Sequence, residues 1–304
     1  MSFLFFVLYL SLFLGGMYIM RLGLKTVSQQ KLSEWLLKFT SSPVSGLIFG
    51  TIFTILLQSS SAVMIITVGF VSASLVSFKQ SIGIILGTNI GTTATLEFLA
   101  FGTEQLIIPL LIIGSLCILL PVRKIRSIGL FFYGLGAIFM ALFGFERLAA
   151  PLAESKVIGP FLLSLEENIL LGVLAGCIMT AIIQSSTAMT GIAMGFLQAN
   201  AISLPVAIAV MLGSNIGTCL DAYIASLGGG KEARMTAWAH IWLNVLGVLI
   251  FIPLITLFAR IVANLASSPD NQLAHASVLF NVVVSLLFLP FVDQFARFIK
   301  RVHG

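Results

Sequence analysis

The sequence predicts an all-α integral membrane protein that contains two inverted repeats. Of its 304 residues, 59% are hydrophobic and 9% are charged, whereas soluble domains have about 25% charged residues. The apolar residues occur in long continuous runs, which indicate membrane-spanning helices rather than the alternating pattern of a β-barrel. Two further observations, a duplicated polar motif and a one-sided distribution of positive charge, indicate the repeats and their opposite orientation.

The apolar segments predict about seven full crossings of the bilayer. They lie at about residues 3–20, 81–99, 105–120, 128–145, 206–226, 236–258 and 274–296. The first segment is predicted to be a retained span, because no positive charge precedes it as in a signal peptide. Residues 27–40 mix charged with bulky apolar side chains and predict an amphipathic helix at the membrane surface.

A polar tetrad occurs twice inside apolar sequence. Gln58-Ser59-Ser60-Ser61 returns 126 positions later as Gln184-Ser185-Ser186-Thr187. At the same offset, Gly87-Thr88-Asn89-Ile90-Gly91-Thr92 pairs with Gly213-Ser214-Asn215-Ile216-Gly217-Thr218. An unpaired polar group in an apolar surrounding costs a few kcal/mol, so two copies at one spacing indicate a function.

Each tetrad is flanked by apolar arms that are too short for two crossings. The segments 46–76 and 172–202 have 31 residues each, whereas two crossings need about 40. We therefore predict two re-entrant helical hairpins with the tetrads at their tips. The glycines of each Asn-Ile-Gly-Thr segment are expected to interrupt the following span and let backbone approach a ligand.

Positive charge indicates the topology. With the N-terminus outside and the C-terminus inside, 13 of the 16 basic residues are cytoplasmic, as membrane proteins prefer. They are Arg21, Lys25, Lys31, Lys38, Lys79, Arg123, Lys124, Arg126, Lys231, Arg234, Arg297, Lys300 and Arg301. The hairpins then enter from opposite sides, and the predicted units are a first repeat, an inverted second repeat and a C-terminal span with a short basic tail, over residues 1–120, 121–259 and 260–304.

The predicted hairpin tips have the chemistry of an ion site. Helix N-termini present about half a positive charge and bind anions, and the tetrad hydroxyls can donate to an oxyanion. Side-chain amides, threonine hydroxyls and backbone carbonyls can bind a small hard cation, while the absence of soft ligands argues against transition metals. No Lys or Arg is expected near the centre of a span, so helix ends, hydroxyls and co-bound cations would hold the anion.

Two acids and a histidine lie inside the predicted spans. Glu97 and Asp221 each follow an Asn-Ile-Gly-Thr segment, and intramembrane acids are commonly ion or proton sites. Both lie near the end of a span, where an acid also reaches the interface. His240 is one helical turn before Asn244, which favours a packing or gating role.

These motifs resemble the sodium–phosphate cotransporter family, which includes the animal type II carriers and bacterial relatives. The resemblance rests on the two tetrads, the two Asn-Ile-Gly-Thr segments, Ile241-Trp242-Leu243-Asn244 and Val278-Leu279-Phe280-Asn281. It implies sodium-driven symport of inorganic phosphate by alternating access. Phosphate would contact Ser59, Ser60, Ser61, Ser185, Ser186 and Thr187. Sodium would bind Gln58, Gln184, Thr88, Asn89, Thr92, Ser214, Asn215 and Thr218, with Asp221, Asn244 and Asn281 as further candidates.

Other functions remain open from the residues alone. Helix ends and hydroxyls do not select phosphate, so a symporter of another oxyanion or a dicarboxylate fits, and so does a passive anion channel. An intramembrane serine protease is disfavoured, because no G-x-S-x-G motif surrounds the serines. We expect a multi-pass protein of the cell membrane, with phosphate, sodium and the lipid bilayer as partners and neither nucleic acid nor a cofactor beyond the transported sodium. The sequence leaves a homo-oligomer open.

Overall fold

The described residues of the computed structural model are 2–24, 34–35, 38 and 40–304, and they form helices with no strand among them. The α-helices, in chain order, are α1 Ser2–Leu24, α2 Pro43–Leu57, α3 Ser60–Ser72, α4 Phe78–Ala100, α5 Glu104–Leu119, α6 Arg123–Ala153, α7 Ile158–Glu167, α8 Ile169–Ile183, α9 Ser186–Gln198, α10 Leu204–Gly217, α11 Cys219–Ser226, α12 Lys231–Phe251, α13 Ile255–Ala263, α14 Pro269–Phe288 and α15 Val292–His303. The interfacial helix expected over residues 27–40 lies mostly outside the described residues.

The protein is a multi-pass membrane protein, with six candidate spans in the described part of the chain. They are Ser2–Leu24, Phe78–Ala100, Arg123–Ala153, Leu204–Ser226, Lys231–Ala263 and Pro269–His303. The expected crossing at 105–120 forms α5, which has 16 residues and is therefore about 24 Å long. This apolar helix is shorter than the six candidate spans, and the prediction of about seven full crossings counts it as the seventh.

Local sequence explains where the first short helix begins. Ser42 accepts a hydrogen bond from the backbone N–H of Ser45 at 3.2 Å, and Ser45 accepts one from the N–H of Ser42 at 2.9 Å. Pro43 occupies the first turn, where its missing N–H has no consequence. This reciprocal capping starts α2 and directs its apolar sequence toward the tetrad.

Glycines bring the short helices into backbone contact with the central helices α4 and α10. A Cβ atom at Gly87 of α4 would lie 2.2 Å from the carbonyl oxygen of Leu47 in α2. A Cβ atom at Gly213 of α10 would lie 1.9 Å from the carbonyl oxygen of Val173 in α8. Small residues at such positions are what allow helices to approach closely in membranes.

The expectation of a glycine-interrupted span is wrong for the first copy. Helix α4 continues without a break through Gly87-Thr88-Asn89-Ile90-Gly91-Thr92. In the second copy α10 ends at Gly217 and α11 begins at Cys219, so only Thr218 separates the two helices. The first Asn-Ile-Gly-Thr segment therefore uses its glycines for close helix contact, which does not require unwinding.

We predict that Gly213→Ala strongly destabilises the protein, because the added methyl group would overlap the Val173 carbonyl. Overpacking of this kind costs about 1–3 kcal/mol, and more where backbone must move. The control is Gly69→Ala in α3, where a Cβ atom would meet nothing within 4 Å. Thermal unfolding of the two purified variants should show a large loss for Gly213→Ala only, and equal melting temperatures would contradict the close contact.

Candidate functional site

Each tetrad ends one helix and starts the next in the same way. Gln58 ends α2 with φ 50° and ψ 34°, and Gln184 ends α8 with φ 56° and ψ 33°. This left-handed conformation is uncommon for residues other than glycine and costs about 1–3 kcal/mol. A strained residue at the same place in both copies marks these breaks as features that the surrounding structure maintains.

The serine after each glutamine caps the following helix. The Ser59 hydroxyl oxygen accepts from the Ala62 N–H at 3.2 Å, and the Ser185 hydroxyl oxygen accepts from the Ala188 N–H at 3.1 Å. Helices α3 and α9 therefore begin at Ser60 and Ser186, and their first N–H groups have no partner within the helix. Each tetrad thus presents a helix N-terminus together with its hydroxyl groups.

Both N-termini open into one cavity of about 550 Å³. All eight tetrad residues line it, and so do Thr54, Thr92, Thr95 and Thr218 from the neighbouring helices. The hydroxyls of Ser60 and Ser186 make no hydrogen bond with a described protein group, so they are available to a ligand. The structure therefore brings the six predicted phosphate residues together, although they lie more than 120 positions apart in the sequence.

Arg21 brings a fixed positive charge to this cavity. Its Nε donates to the carbonyl oxygen of Gln58 at 2.8 Å, which lies at the negative C-terminal end of α2. The sequence analysis places Arg21 on the cytoplasmic side of α1 and names no basic residue as a ligand, whereas the structure places Arg21 in the lining of the cavity. The long arginine side chain reaches back from the last turn of α1, and only the tertiary structure reveals its target.

Asp221 is the one acid among the described residues that line the cavity. The Ser61 hydroxyl donates to its carboxylate, which joins α11 to the first tetrad. Thr95 of α4 also contacts this tetrad, because its hydroxyl donates to the Gln58 side-chain oxygen at 2.7 Å. Thr95 is a site residue that the sequence reasoning missed.

The two glutamines differ in their surroundings. Gln58 is buried, and its side-chain nitrogen donates to the Ile55 carbonyl at 2.8 Å. Gln184 is exposed toward the cavity, and its side chain has no hydrogen bond with any described group. The first tip is therefore held by several side-chain contacts, whereas the second tip is held mainly by its backbone and its serine cap.

The predicted sodium residues divide into two groups. Gln58, Gln184, Thr92 and Thr218 line the cavity. The other four lie outside its lining and bond to protein: Thr88 to the Ile85 carbonyl, Ser214 and Asn215 to the Met211 carbonyl, and Asn89 to Asn244. Asn89, the asparagine of the first Asn-Ile-Gly-Thr segment, therefore joins α4 to α12.

Three buried threonine oxygens near the tetrads have no hydrogen-bond partner. They are the hydroxyls of Thr54, Thr180 and Thr218, of which Thr54 and Thr218 line the cavity. An unsatisfied buried hydroxyl costs about 1–3 kcal/mol, and its oxygen suits a hard cation. Thr54 and Thr180 lie four residues before Gln58 and Gln184, respectively. This duplication is the feature of the sequence that could have identified them as candidate site residues.

The remaining candidates lie outside the cavity lining. Asn244 is buried and donates to Cys219 Sγ and the His240 carbonyl, both at 3.1 Å. Asn281 donates to the Ser277 carbonyl at 2.9 Å. The Glu97 carboxylate lies 2.8 Å from Nδ1 of His275 in α14. The Asn244–Cys219 and Glu97–His275 contacts join two helices each, whereas the bonds to the carbonyls of His240 and Ser277 lie within one helix. None of these contacts reaches the tetrads.

Comparison with known proteins gives a family for this arrangement. The model of the Na+/Pi-cotransporter family matches residues 12–147 and 152–284. The uncharacterized protein YqeW of Bacillus subtilis is 43% identical over 266 residues, which are 88% of this chain and 87% of that protein. The putative inorganic phosphate export protein YjbB of Escherichia coli K12 is 29% identical over 84% of this chain.

A more distant relative shares a shorter segment. Sodium-dependent phosphate transport protein 2B of Homo sapiens is 47% identical over 55 residues, which are 18% of this chain and 8% of that protein. The match to YjbB covers 47% of that protein, so the chain spans about half its length. No solved structure matches.

Proposed function

We propose that this chain, which belongs to the Na+/Pi-cotransporter family, is a sodium-coupled symporter of inorganic phosphate. The observation that carries the proposal is the single cavity lined by both tetrads and Arg21. The names of two relatives agree with this proposal, since one is a putative inorganic phosphate export protein and another a sodium-dependent phosphate transport protein.

Phosphate would bind between the two helix N-termini. The N–H groups of α3 and α9 donate to its oxygens, and the hydroxyls of Ser60 and Ser186 add neutral donors. The Nη groups of Arg21 supply charge-assisted hydrogen bonds, which are about twice as strong as neutral ones. Positive ends from two separate helices then surround one anion, which explains why the motif is duplicated.

Sodium would bind beside the phosphate through neutral oxygens. Such oxygens around the cavity belong to Gln184, Thr54, Thr92 and Thr218. The side chains of Gln184, Thr54 and Thr218 have no hydrogen-bond partner among the described residues. A cation next to a multiply charged anion in a low-dielectric site lowers the free energy of binding both. That mutual stabilisation would couple the two transported species.

Alternating access would follow from re-entrant, inverted hairpins, in which α2 with α3 and α8 with α9 enter from opposite membrane faces. Inverted repeats with discontinuous helices at the midplane are typical of secondary transporters. The unequal contacts of the two tips suggest which one moves. The first tip is bonded to Arg21, Thr95 and Asp221, so we expect the second tip to move.

Export is a second candidate function, because the Escherichia coli relative is named a phosphate export protein. A sodium-independent exporter or an anion channel could use the same cavity. The test is uptake of radiolabelled phosphate into proteoliposomes with an inward sodium gradient. Accumulation above equilibrium that disappears when potassium replaces sodium supports symport. Sodium-independent equilibration of phosphate, absent from protein-free liposomes, would reject it.

We predict that Gln184→Ala raises the sodium concentration for half-maximal phosphate uptake by about three- to tenfold. The loss of one oxygen ligand to a charged species is worth about 1 kcal/mol or more, and this side chain makes no protein hydrogen bond that the substitution would also remove. Gln272→Ala is the control, because its side chain bonds to the Ala266 carbonyl away from the cavity. An unchanged sodium dependence in Gln184→Ala would remove this residue from the ion site.

A further inference from the structure

We propose that Asp221 selects anions that carry a proton, so that the site accepts phosphate and excludes sulfate. The proposal rests on the proposed function, because it assumes that the anion binds between the tetrads. It adds a source of specificity, since helix N-termini, hydroxyls and an arginine attract any small oxyanion.

The geometry places a carboxylate within the proposed anion site. Asp221 lines the same cavity as both tetrads, and its Oδ2 accepts from the hydroxyl of Ser61, which is a tetrad residue. The other oxygen, Oδ1, has no hydrogen bond with a described protein group. A ligand held by the tetrads would therefore meet an acceptor that still lacks a donor.

A carboxylate is only an acceptor of hydrogen bonds when it is ionised. Inorganic phosphate keeps at least one proton near neutral pH, so a P–OH group can donate to Asp221 and satisfy it. Sulfate has no proton at this pH, and its oxygens would face the carboxylate with no hydrogen between them. A site built around a hydrogen bond rejects analogues that cannot make it, because the bound analogue displaces water from the acceptor and leaves it unpaired.

The other groups around the cavity cannot supply this discrimination. Arg21 is the one other charged residue in the described lining, and it attracts phosphate and sulfate alike. Thr95 occupies the position of the first repeat that corresponds to Asp221 at the 126-residue offset, and its hydroxyl is bound to Gln58. The cavity therefore has a carboxylate on the α11 side only, and the protonated oxygen of a bound phosphate would point toward α11.

The experiment measures equilibrium binding of labelled phosphate and labelled sulfate to the full-length protein in lipid nanodiscs. We expect the wild type to bind sulfate at least about 100-fold more weakly than phosphate. Asp221→Asn supplies a side-chain N–H that can donate to sulfate, so the ratio should fall at least tenfold. Asp293→Asn is the matched control, because this exposed acid pairs with Lys79 outside the cavity and should leave the ratio unchanged.

Monofluorophosphate tests the proposal without any substitution. It has the charge of the phosphate dianion and nearly its shape, but fluorine replaces the protonated oxygen. We expect it to compete with phosphate for the wild type at least tenfold more weakly than arsenate, which keeps its proton. This comparison remains decisive if Asp221→Asn does not fold.

The outcomes separate this inference from the proposed function. Absence of phosphate binding by the folded wild type would reject the proposed function itself. Binding of phosphate together with equally tight sulfate or monofluorophosphate would overturn only the role of Asp221. A folded Asp221→Asn variant that keeps the wild-type ratio of phosphate to sulfate affinity would also overturn this role. If the sodium dependence of that variant changed while the ratio did not, Asp221 would be assigned to the cation instead. Ser61→Ala keeps the carboxylate, so this variant should still exclude sulfate. Loss of sulfate exclusion in Ser61→Ala would show that the exclusion depends on the Ser61–Asp221 contact and not on the free oxygen of Asp221, and it would overturn the proposal.

Discussion

Ser60→Ala and Ser186→Ala are each expected to reduce phosphate transport by about 10- to 100-fold without unfolding the protein. Each hydroxyl lies at the first residue of a helix that opens into the cavity, and neither makes a hydrogen bond with a described protein group. The loss is therefore that of a hydrogen bond to a charged ligand, worth about 1.5–3 kcal/mol. Initial rates of phosphate uptake into proteoliposomes measure it directly.

The matched control for these serines is Ser115→Ala in α5. The Ser115 hydroxyl bonds back to the Leu111 carbonyl on an exposed face, as membrane serines often do. Its removal should leave uptake within about twofold of the wild type. Normal uptake in both Ser60→Ala and Ser186→Ala would contradict the assignment of the tetrads to phosphate, whereas a loss in one variant alone would place the anion at a single tip.

Arg21→Gln is expected to weaken phosphate binding by at least about 100-fold, which is the largest effect of any single substitution considered. Arg21 is the one cation among the described residues that line the cavity, and a guanidinium can bind an oxyanion through two parallel hydrogen bonds. Arg21→Lys should recover part of the affinity, because it restores the charge but not the planar pair of donors. Equilibrium binding of labelled phosphate measures both variants.

A structural role of Arg21 must be separated from a role in binding. Its Nε bond to the Gln58 carbonyl also stabilises the end of α2, so the melting temperature of each variant should be compared with its affinity. Arg147→Gln is the control, because Arg147 is exposed and pairs with Glu104 away from the cavity. Wild-type phosphate affinity in folded Arg21→Gln would remove the arginine from the site.

The position of the helix breaks could be predicted because their signal is local. Four polar residues inside an apolar run, repeated at one offset, indicate a break with a function, and Gln58 and Gln184 both adopt the left-handed conformation that ends a helix. Membrane insertion and helical structure were equally predictable, because composition and apolar run length decide them. The transporter family followed from the motifs themselves.

Features that depend on tertiary contacts could not be predicted. Arg21 lies at the end of α1, and nothing in its neighbourhood shows that its side chain reaches the carbonyl of Gln58 across 37 positions. The glycines of the first Asn-Ile-Gly-Thr segment fit either unwinding or close helix contact, and only the position of Leu47 decides between them. Thr95 and Asp221 occupy equivalent positions, but their different partners break the symmetry that the repeat suggests.

The central claim is that two tetrads form one phosphate site. Counting bound phosphate per polypeptide at saturation, on purified wild-type protein with sodium present, tests it most directly. We predict one phosphate per chain, with Ser60→Ala and Ser186→Ala each weakening binding at that same site by at least about tenfold. Two phosphates per chain, or one that each substitution leaves at wild-type affinity, would contradict a shared site between the helix N-termini of α3 and α9.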